Sequence, residues 1–255
     1  METDYPILEH DGDEESLIEP SKILRPVAGM PERCVLPIYH DVIESLKEQS
    51  QLTHVTNLRS AMGPLPVFRI EHNGESVAVA HPGIGAPLAA GFLEELIAFG
   101  CRKFIACGAA GVLDSCLAKG TVVIPNAAVR DEGASYHYVS PSREIELDPT
   151  VVSVAEAVLR SHGIPHRVGK TWTTDAIYRE TRSRISRRKA ERCLTVEMEC
   201  SAFAAVARFR GVKFGQLLAT GDDVSGSEWD PRHTEEHKSF PERLFWLSVE
   251  CCLEL

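Results

Sequence analysis

What this chain lacks narrows its class before any motif is read. No C-x-x-C pair occurs among its eight cysteines, which are Cys34, Cys101, Cys107, Cys116, Cys193, Cys200, Cys251 and Cys252. Most sit in apolar contexts, where a thiol serves as a small buried side chain. A disulfide framework is not expected at this size, and the cytoplasm is the expected compartment. No apolar run approaches the ~20 residues that a membrane span needs. No basic stretch followed by an apolar core opens the chain, so neither a membrane partner nor a secretory leader is expected. Positive charge is short: 27 Lys and Arg stand against 37 Asp and Glu, for a net charge of −10. That balance argues against nucleic acid or an anionic membrane as a partner. No complete G-x-G-x-x-G follows a strand-like run, which leaves a dinucleotide fold unsupported.

Two catalytic patterns are incomplete. His233-Thr234-Glu235-Glu236-His237 matches H-x-x-E-H. Zinc needs a third protein ligand, usually far downstream, and little chain remains after His237, so no metal is expected. An acidic helix start after Asp230-Pro231 explains the run more simply. Ser135, in Gly133-Ala134-Ser135-Tyr136-His137, lacks the second glycine of a nucleophile elbow. That stretch reads as a loop.

What is present is ordinary for a soluble globular chain of 255 residues: 44% hydrophobic and 25% charged, enough for one large α/β domain. Residues 1–20 carry eight acids and little periodicity, and read as an acidic arm anchored by Tyr5-Pro6-Ile7-Leu8. Residues 21–255 form the domain. Ile23 to Met30 reads as a strand, followed by a glycine turn and a helix from Arg33 to Glu48, with Pro31 at its start. Arg33 in a first turn opposes the helix dipole, so it either faces an anion or lies on the surface. Val67–Ile70 and Ser76–Ala80 are strands joined through Asn73-Gly74, the strongest short hairpin signal. A helix spans Leu88 to Phe99. Lys103–Cys107 is a strand running into the turn Gly108-Ala109-Ala110-Gly111, and Val122–Pro125 is another strand. Helices are expected over Val151–His162 and Pro241–Leu255. The basic run from Arg179 to Arg192 suits a solvated helix face better than a phosphate site.

The richest stretch runs from Cys193 to Asp230. Cys193–Val196 reads as a strand; helical spacing then takes over at Ala202, Phe203, Val206, Ala207 and Arg210; Gly211 sits where the helix stops; and Phe214–Ala219 is a second buried strand. Such strand–helix–strand units build parallel sheets, whose ligands bind outside the carboxyl ends of the strands. Glu197 and Glu199 fall at one such end, and Asp222 and Asp223 at the other. Four converging carboxyls suit a sugar diol, a metal or proton donation; the same residues also suit a helix cap and a solvated helix start.

Val196-Glu197-Met198-Glu199 before a small-residue helix, with a later Gly221-Asp222, resembles the nucleoside phosphorylase family, which holds purine nucleoside and uridine phosphorylases and methylthioadenosine nucleosidases. Gly29-Met30-Pro31-Glu32-Arg33 resembles its phosphate loop. Val55-Thr56-Asn57-Leu58-Arg59 resembles the stretch whose arginine reaches a neighbouring subunit's phosphate. Gly83-Ile84-Gly85 and Gly108-Ala109-Ala110-Gly111 resemble two of its ligand turns, and Arg130–Ser135 resembles a stretch of the uridine branch. Thr173–Tyr178 resembles the base-pocket strand, with Trp172 at or beside its aromatic position. The resemblance covers about residues 20 to 250. It implies a single-domain three-layer α/β/α sandwich around a central mixed, largely parallel twisted sheet.

The resemblance also implies roles. Asp222 protonates or hydrogen-bonds the leaving base, Asp223 taking that place if the alignment slips by one. Glu199 holds the ribose hydroxyls, Met198 packs under the sugar, and Glu197, Trp172, Gly108 and Ile84 complete the substrate site. Gly29, Arg33 and Arg59 bind phosphate, the co-substrate, with no other cofactor. A homodimer or a hexamer of dimers is implied, with Arg59 acting across the interface. Two departures stand out: Ala106 where family phosphorylases carry arginine, and Ala109 where they carry serine or threonine. Losing a charge-assisted donor costs on the order of 1.5–3 kcal/mol in phosphate binding. Phosphorolysis is the expected reaction, hydrolysis the alternative, and a non-catalytic nucleoside-binding protein a third reading. The glutamine and arginine of pyrimidine recognition have no clean match near Thr181 and Arg182, so no base is assigned.

Overall fold

The computed structural model describes residues 4–13, 15–232 and 240–255. The H-x-x-E-H run from His233 to His237 lies outside the described residues. Helices are α1 (Pro20–Ile23), α2 (His40–Glu48), α3 (Ala86–Phe99), α4 (Pro149–Ser161), α5 (Arg182–Ala190), α6 (Cys200–Arg210) and α7 (Phe240–Leu253). Strands are β1 (Arg33–Pro37), β2 (Thr53–Leu58), β3 (Leu65–His72), β4 (Glu75–Ala80), β5 (Lys103–Val112), β6 (Val122–Asp131), β7 (Glu144–Glu146), β8 (His166–Thr174), β9 (Cys193–Glu197) and β10 (Lys213–Asp223).

One mixed sheet joins all the strands among the described residues. Its order is β10-β6-β8-β9-β5-β1-β4-β3-β2, with β7 on β6 and a further β10–β5 pairing that closes β5, β10, β6, β8 and β9 into a ring. Ring closure removes two sheet edges and lets distant strands meet at one rim. The sheet is mixed: β4, β1, β5 and β10 run parallel in a central block and β6, β8 and β9 run parallel in a second, while β2–β3, β3–β4, β5–β9, β6–β7 and β6–β10 are antiparallel. Helices α2, α4 and α7 pack together on one side, and α3 packs with α6 on the other, giving the expected three layers. The hairpin forms as expected, with His72 opposite Glu75 and both Asn73 and Gly74 at positive φ. All eight cysteines are free, and all but Cys116 are buried.

Four sequence expectations are corrected. Residues 33–37 are a strand, not the start of a helix. Cys34, Val35 and Leu36 are fully buried between β4 and β5, an apolar run too short to show its period, and the helix begins only at His40. Ile23–Met30 is likewise no strand: α1 ends at Ile23 and a loop follows. Gly108–Gly111 is not a turn but the second half of β5, paired with β10 through Gly108–Leu218 and Ala110–Thr220. The β9–α6–β10 unit is not a parallel crossover within one block. β9 runs antiparallel to β5 (Gly111 opposite Val196), whereas β10 runs parallel to it.

The basic run is also more than a solvated face. Arg188 is buried and donates to Asp131 (3.0 Å) and Glu191 (2.8 Å), its guanidinium stacked 5.3 Å from the Trp172 ring. Arg182 and Lys189 donate to the carbonyls of Ser227 (2.8 Å) and Ser225 (2.9 Å), so α5 clamps the loop that follows β10. At the amino end, Pro6–Leu8 form an exposed single 3-10 turn, while buried Glu19 pairs with Arg210 at 2.9 Å.

Candidate active site

The parallel block directs the carboxyl ends of β1, β4, β5 and β10 to one edge, where a cleft of about 200 Å³ opens. Ala109, Ala110 and Gly111 of β5 form its floor. Ile38 enters from the end of β1, Ile84 from the loop after β4, Val196 to Glu199 from the end of β9, and Asp222 from the end of β10. Ile177 and Glu180 complete it from the 3-10 turn Ile177–Arg179. Convergence at this point requires Gly111. A Cβ there would stand 2.9 Å from Val196 Cγ1 and 3.7 Å from Asp222 Oδ1, so any side chain would wedge β9 and β10 apart. His81 ties two of the strand ends together. Its Nδ1 accepts the Gly83 N–H (3.0 Å), which leaves Nε2–H to donate to the Ile38 carbonyl at 3.0 Å.

The carboxyls differ in what they have left to give. Glu197 is buried and committed. Oε1 accepts the Thr173 hydroxyl (2.7 Å), and Oε2 accepts the N–H groups of Glu199 (2.8 Å) and Cys200 (2.7 Å), which fixes the opening of α6. Glu199 is buried too, and its Oε1 accepts the Gly85 N–H at 2.7 Å, linking the β4 loop to α6. Burial pushes both carboxyls above the usual carboxylate range, and the charge of Glu199 adds to the rise at Glu197. Asp222 faces the cleft, with Oδ2 accepting the indole N–H of Trp229 at 2.7 Å.

Asp223 is turned to structural work. Its backbone bridges Asp230, Oδ1 accepts the Ser225 N–H (2.7 Å), and Oδ2 pairs with Arg232. Burial alone would raise this carboxyl, but Ser225 and Arg232 hold it below the usual range. Of the two adjacent acids, Asp222 is the one in the cleft. Glu180 lines the cleft near Asp222, and burial together with the charge of Asp222 pushes it up to about 7.

The structure thus brings together Ile84, Glu197, Met198, Glu199 and Asp222. It does not bring in the others. Gly29 lies before β1 and Arg33 at its start: Arg33 sits opposite Lys103 at the start of β5, whereas the cleft is built on residues 109–111 at the end of that strand. The Arg33 guanidinium reaches Glu75 at 3.4 Å instead. The loop that does meet the cleft follows Pro37 and carries Ile38. Arg59 follows β2 on the surface, its N–H donating to Glu95 (2.9 Å) beside the acidic amino-terminal segment. Trp172 is fully buried behind the site, its indole donating to Asp131 at 3.0 Å; Ile177 takes the exposed apolar place at the cleft. Gly108 packs under Ile38 rather than facing the cleft.

Ile38, Glu180 and Trp229 escaped the sequence reading, and Ile177 entered it only within the base-pocket stretch Thr173–Tyr178. Ile38 was hidden because β1 was read as helix, and Glu180 because it sits in a run read for its basic residues. No Lys, Arg or His lines the cleft among the described residues. Ala109 faces it, and Ala106 is buried in the core. Among the described residues no group of three or more His, Cys, Asp or Glu is placed to hold a metal ion. No described helix is long and apolar enough to cross a membrane.

A mixed α/β sheet with carboxylates gathered at the carboxyl ends of its central strands is the architecture of a small-molecule enzyme of the α/β class. The chain belongs to the phosphorylase superfamily, whose family model matches residues 27–244. It is 24% identical over 194 residues to a guanosine phosphorylase of Halorubrum lacusprofundi, covering 74% of this chain and 80% of the relative. It is 24% identical over 217 residues to a purine nucleoside phosphorylase of Shewanella oneidensis (83% and 87%) and 24% identical over 189 residues to a uridine phosphorylase of Salmonella typhimurium (67% and 74%). The solved uridine phosphorylase of Vibrio fischeri ES114 superposes with a TM-score of 0.75, covering 91% of this chain and 95% of that one at 20% identity. That last likeness speaks for the fold.

Proposed function

We propose that this chain cleaves the N-glycosidic bond of a nucleoside by phosphorolysis, giving the free base and a sugar 1-phosphate. One observation carries the reading: a single cleft sets the buried carboxyl of Glu199 and that of Asp222 around an apolar floor. Glu199 accepts hydrogen bonds from the ribose hydroxyls, with one oxygen already held by the Gly85 N–H so that its orientation is fixed. Met198 packs beneath the sugar. As the glycosidic bond lengthens, positive charge grows on the sugar and electron density on the base. Asp222 meets the departing base by hydrogen bond or proton, and the buried carboxylates on the sugar side oppose the developing positive charge. Phosphate enters from the side of Ala109 and Ile38. Family membership and the phosphorylase names of the relatives support phosphate as the nucleophile and co-substrate, with no further cofactor.

The cation that such an anion needs comes, in this reading, from Arg59 of a second copy of the chain, in a homodimer or a hexamer of dimers working in the cytoplasm. A second reading, hydrolysis, is favoured by one specific observation: among the described residues the cleft has no cation of its own, and Ala106 and Ala109 offer none. The test is base release from a nucleoside panel with and without inorganic phosphate. Phosphate-dependent release with a sugar 1-phosphate product upholds phosphorolysis. Equal release without phosphate, yielding free sugar, replaces it with hydrolysis. Binding without release in either condition leaves a nucleoside-binding protein.

A further inference from the structure

We propose that Trp229 is a positioning residue for Asp222: its indole N–H fixes the carboxyl and leaves Oδ1 as the oxygen that carries a proton toward the departing base. The inference rests on the cleft being the nucleoside site proposed above. Backbone pairing brings the two residues together. Asp223 and Asp230 form an antiparallel bridge, the Asp223 N–H donating to the Asp230 carbonyl (2.7 Å) and the Asp230 N–H to the Asp223 carbonyl (3.0 Å). Side chains alternate faces in extended backbone. The bridge therefore puts Asp223 and Asp230 on one face, and Asp222 and Trp229, diagonally across from each other, on the opposite face. Diagonal neighbours lie beyond the reach of short side chains, but an aromatic ring spans the gap. Here the indole N–H meets Asp222 Oδ2 at 2.7 Å. The loop between the two is held from outside by Lys189 on the Ser225 carbonyl (2.9 Å) and Arg182 on the Ser227 carbonyl (2.8 Å).

An indole N–H donates and cannot accept. The oxygen that meets it is the unprotonated one, because the carbonyl oxygen of a carboxylic acid is the stronger acceptor. A proton on Asp222 therefore sits on Oδ1. That oxygen is 3.7 Å from the point where a Cβ on Gly111 would stand, which places it over the floor of the cleft. Among the described residues no hydrogen-bond donor engages it. As the N-glycosidic bond breaks, the base keeps the bonding electron pair and takes the proton from Oδ1. Asp222 is left as a carboxylate, with Oδ2 still accepting from the indole. Without the indole the carboxyl torsion is broad and two-fold, so either oxygen can face the cleft and the proton is in place only part of the time. Burial of the ring does not explain its position: Trp229 is 64% exposed. What it contributes to the site is the N–H.

The test sets the N–H against the ring. Trp229→Phe keeps a ring and loses the donor; Trp229→Gln loses the ring and keeps an N–H the same number of bonds from Cβ. For the nucleoside that the wild type cleaves fastest, Trp229→Phe is expected to lower kcat by about tenfold to hundredfold with KM changed by about threefold or less. Trp229→Gln is expected to recover most of that loss. Unchanged kcat in Trp229→Phe, or a Phe variant faster than the Gln variant, overturns the proposal. The contact is read separately by NMR on the full chain with isotope-labelled tryptophan. Of the indole N–H resonances of Trp172, Trp229 and Trp246, the one lost in Trp229→Phe should shift in Asp222→Ala while the other two stay. A resonance that does not move also overturns it. A resonance that moves in a chain whose wild type releases no base sinks the proposed reaction and leaves the indole's hold on Asp222 standing. Wild-type release that Trp229→Phe does not slow does the reverse.

Discussion

In the proposed reaction Asp222 is the residue on which the chemistry turns. Its carboxyl meets the cleft, whereas the adjacent Asp223 is spent on Ser225 and Arg232. Asp222→Asn keeps the shape and the Trp229 contact but cannot give a proton to a leaving base. Base release should fall by about 10²- to 10⁴-fold while nucleoside binding persists. Asp223→Asn should loosen the loop with a smaller effect on turnover, and an equal loss in both variants would remove Asp222 from its role. Glu180 allows a second test, on stability. Its carboxyl rises to about 7 because it is buried and faces Asp222, with Glu197 and Glu199 also lining the cleft and no cation among the described lining residues. An acid whose pKa is raised by folding binds its proton more tightly in the native state. Its ionisation therefore costs stability progressively as pH climbs from the ordinary glutamate value of about 4.3 to about 7, and the cost is constant above that. Glu180→Gln should accordingly raise Tm relative to wild type at pH 8 and leave it nearly unchanged at pH 4. A Tm difference that is flat across this range would contradict the environment described for Glu180.

At the scale of elements, the site depends on how closely β5, β9 and β10 meet. Gly111→Ala forces a methyl to within 2.9 Å of Val196 Cγ1 and 3.7 Å of Asp222 Oδ1. Overpacking of this kind costs about 1–3 kcal/mol, and it displaces the carboxyl that the proposed reaction needs. Chemical denaturation should show the stability loss, and kcat should fall more than KM rises. Much of this arrangement was legible in the chain. Glu197, Met198, Glu199 and Asp222 stand at changes of period, where a buried strand gives way to a helix or a loop, and such ends are visible in one dimension. The hairpin through Asn73-Gly74 was legible for the same local reason. What was not legible is pairing. β1 is only five residues long and buried on both faces, so it carries no alternation to separate it from a helix. Misreading it put the expected glycine-to-arginine loop on Gly29 and Arg33, at the opposite end of β1 from the loop after Pro37 that meets the cleft. The direction of β9 is set by closure of the ring, a property of five strands together. The basic run shows the same limit: whether Arg182 and Lys189 face solvent or clamp the loop at Ser225 and Ser227 is decided by that loop's return path.

At the scale of the whole molecule, the unresolved electrostatics of the cleft point beyond one chain. Four carboxyls line it, and no cation does among the described residues, yet phosphorolysis must bring in a further anion. Two unit charges 4 Å apart interact by about 4 kcal/mol at an effective dielectric of 20. An arginine beside the phosphate would therefore contribute on the scale that the substitution of Ala at position 106 removes. Arg59, on the surface after β2, is the family-matched candidate, and it can act only if a second copy supplies it. In an isologous dimer each site would then combine Asp222 of one subunit with Arg59 of the other. Arg59→Ala and Asp222→Asn should each be nearly inactive in phosphate-dependent release. Co-expressed in one cell, they should form mixed dimers with one site built from two intact halves, restoring roughly one quarter of the wild-type rate under random pairing. If Arg59 served its own subunit, neither site of a mixed dimer would be whole and no activity would return. If water were the nucleophile, Arg59→Ala alone would release base at the wild-type rate, and the missing cation would be the reason the cleft hydrolyses.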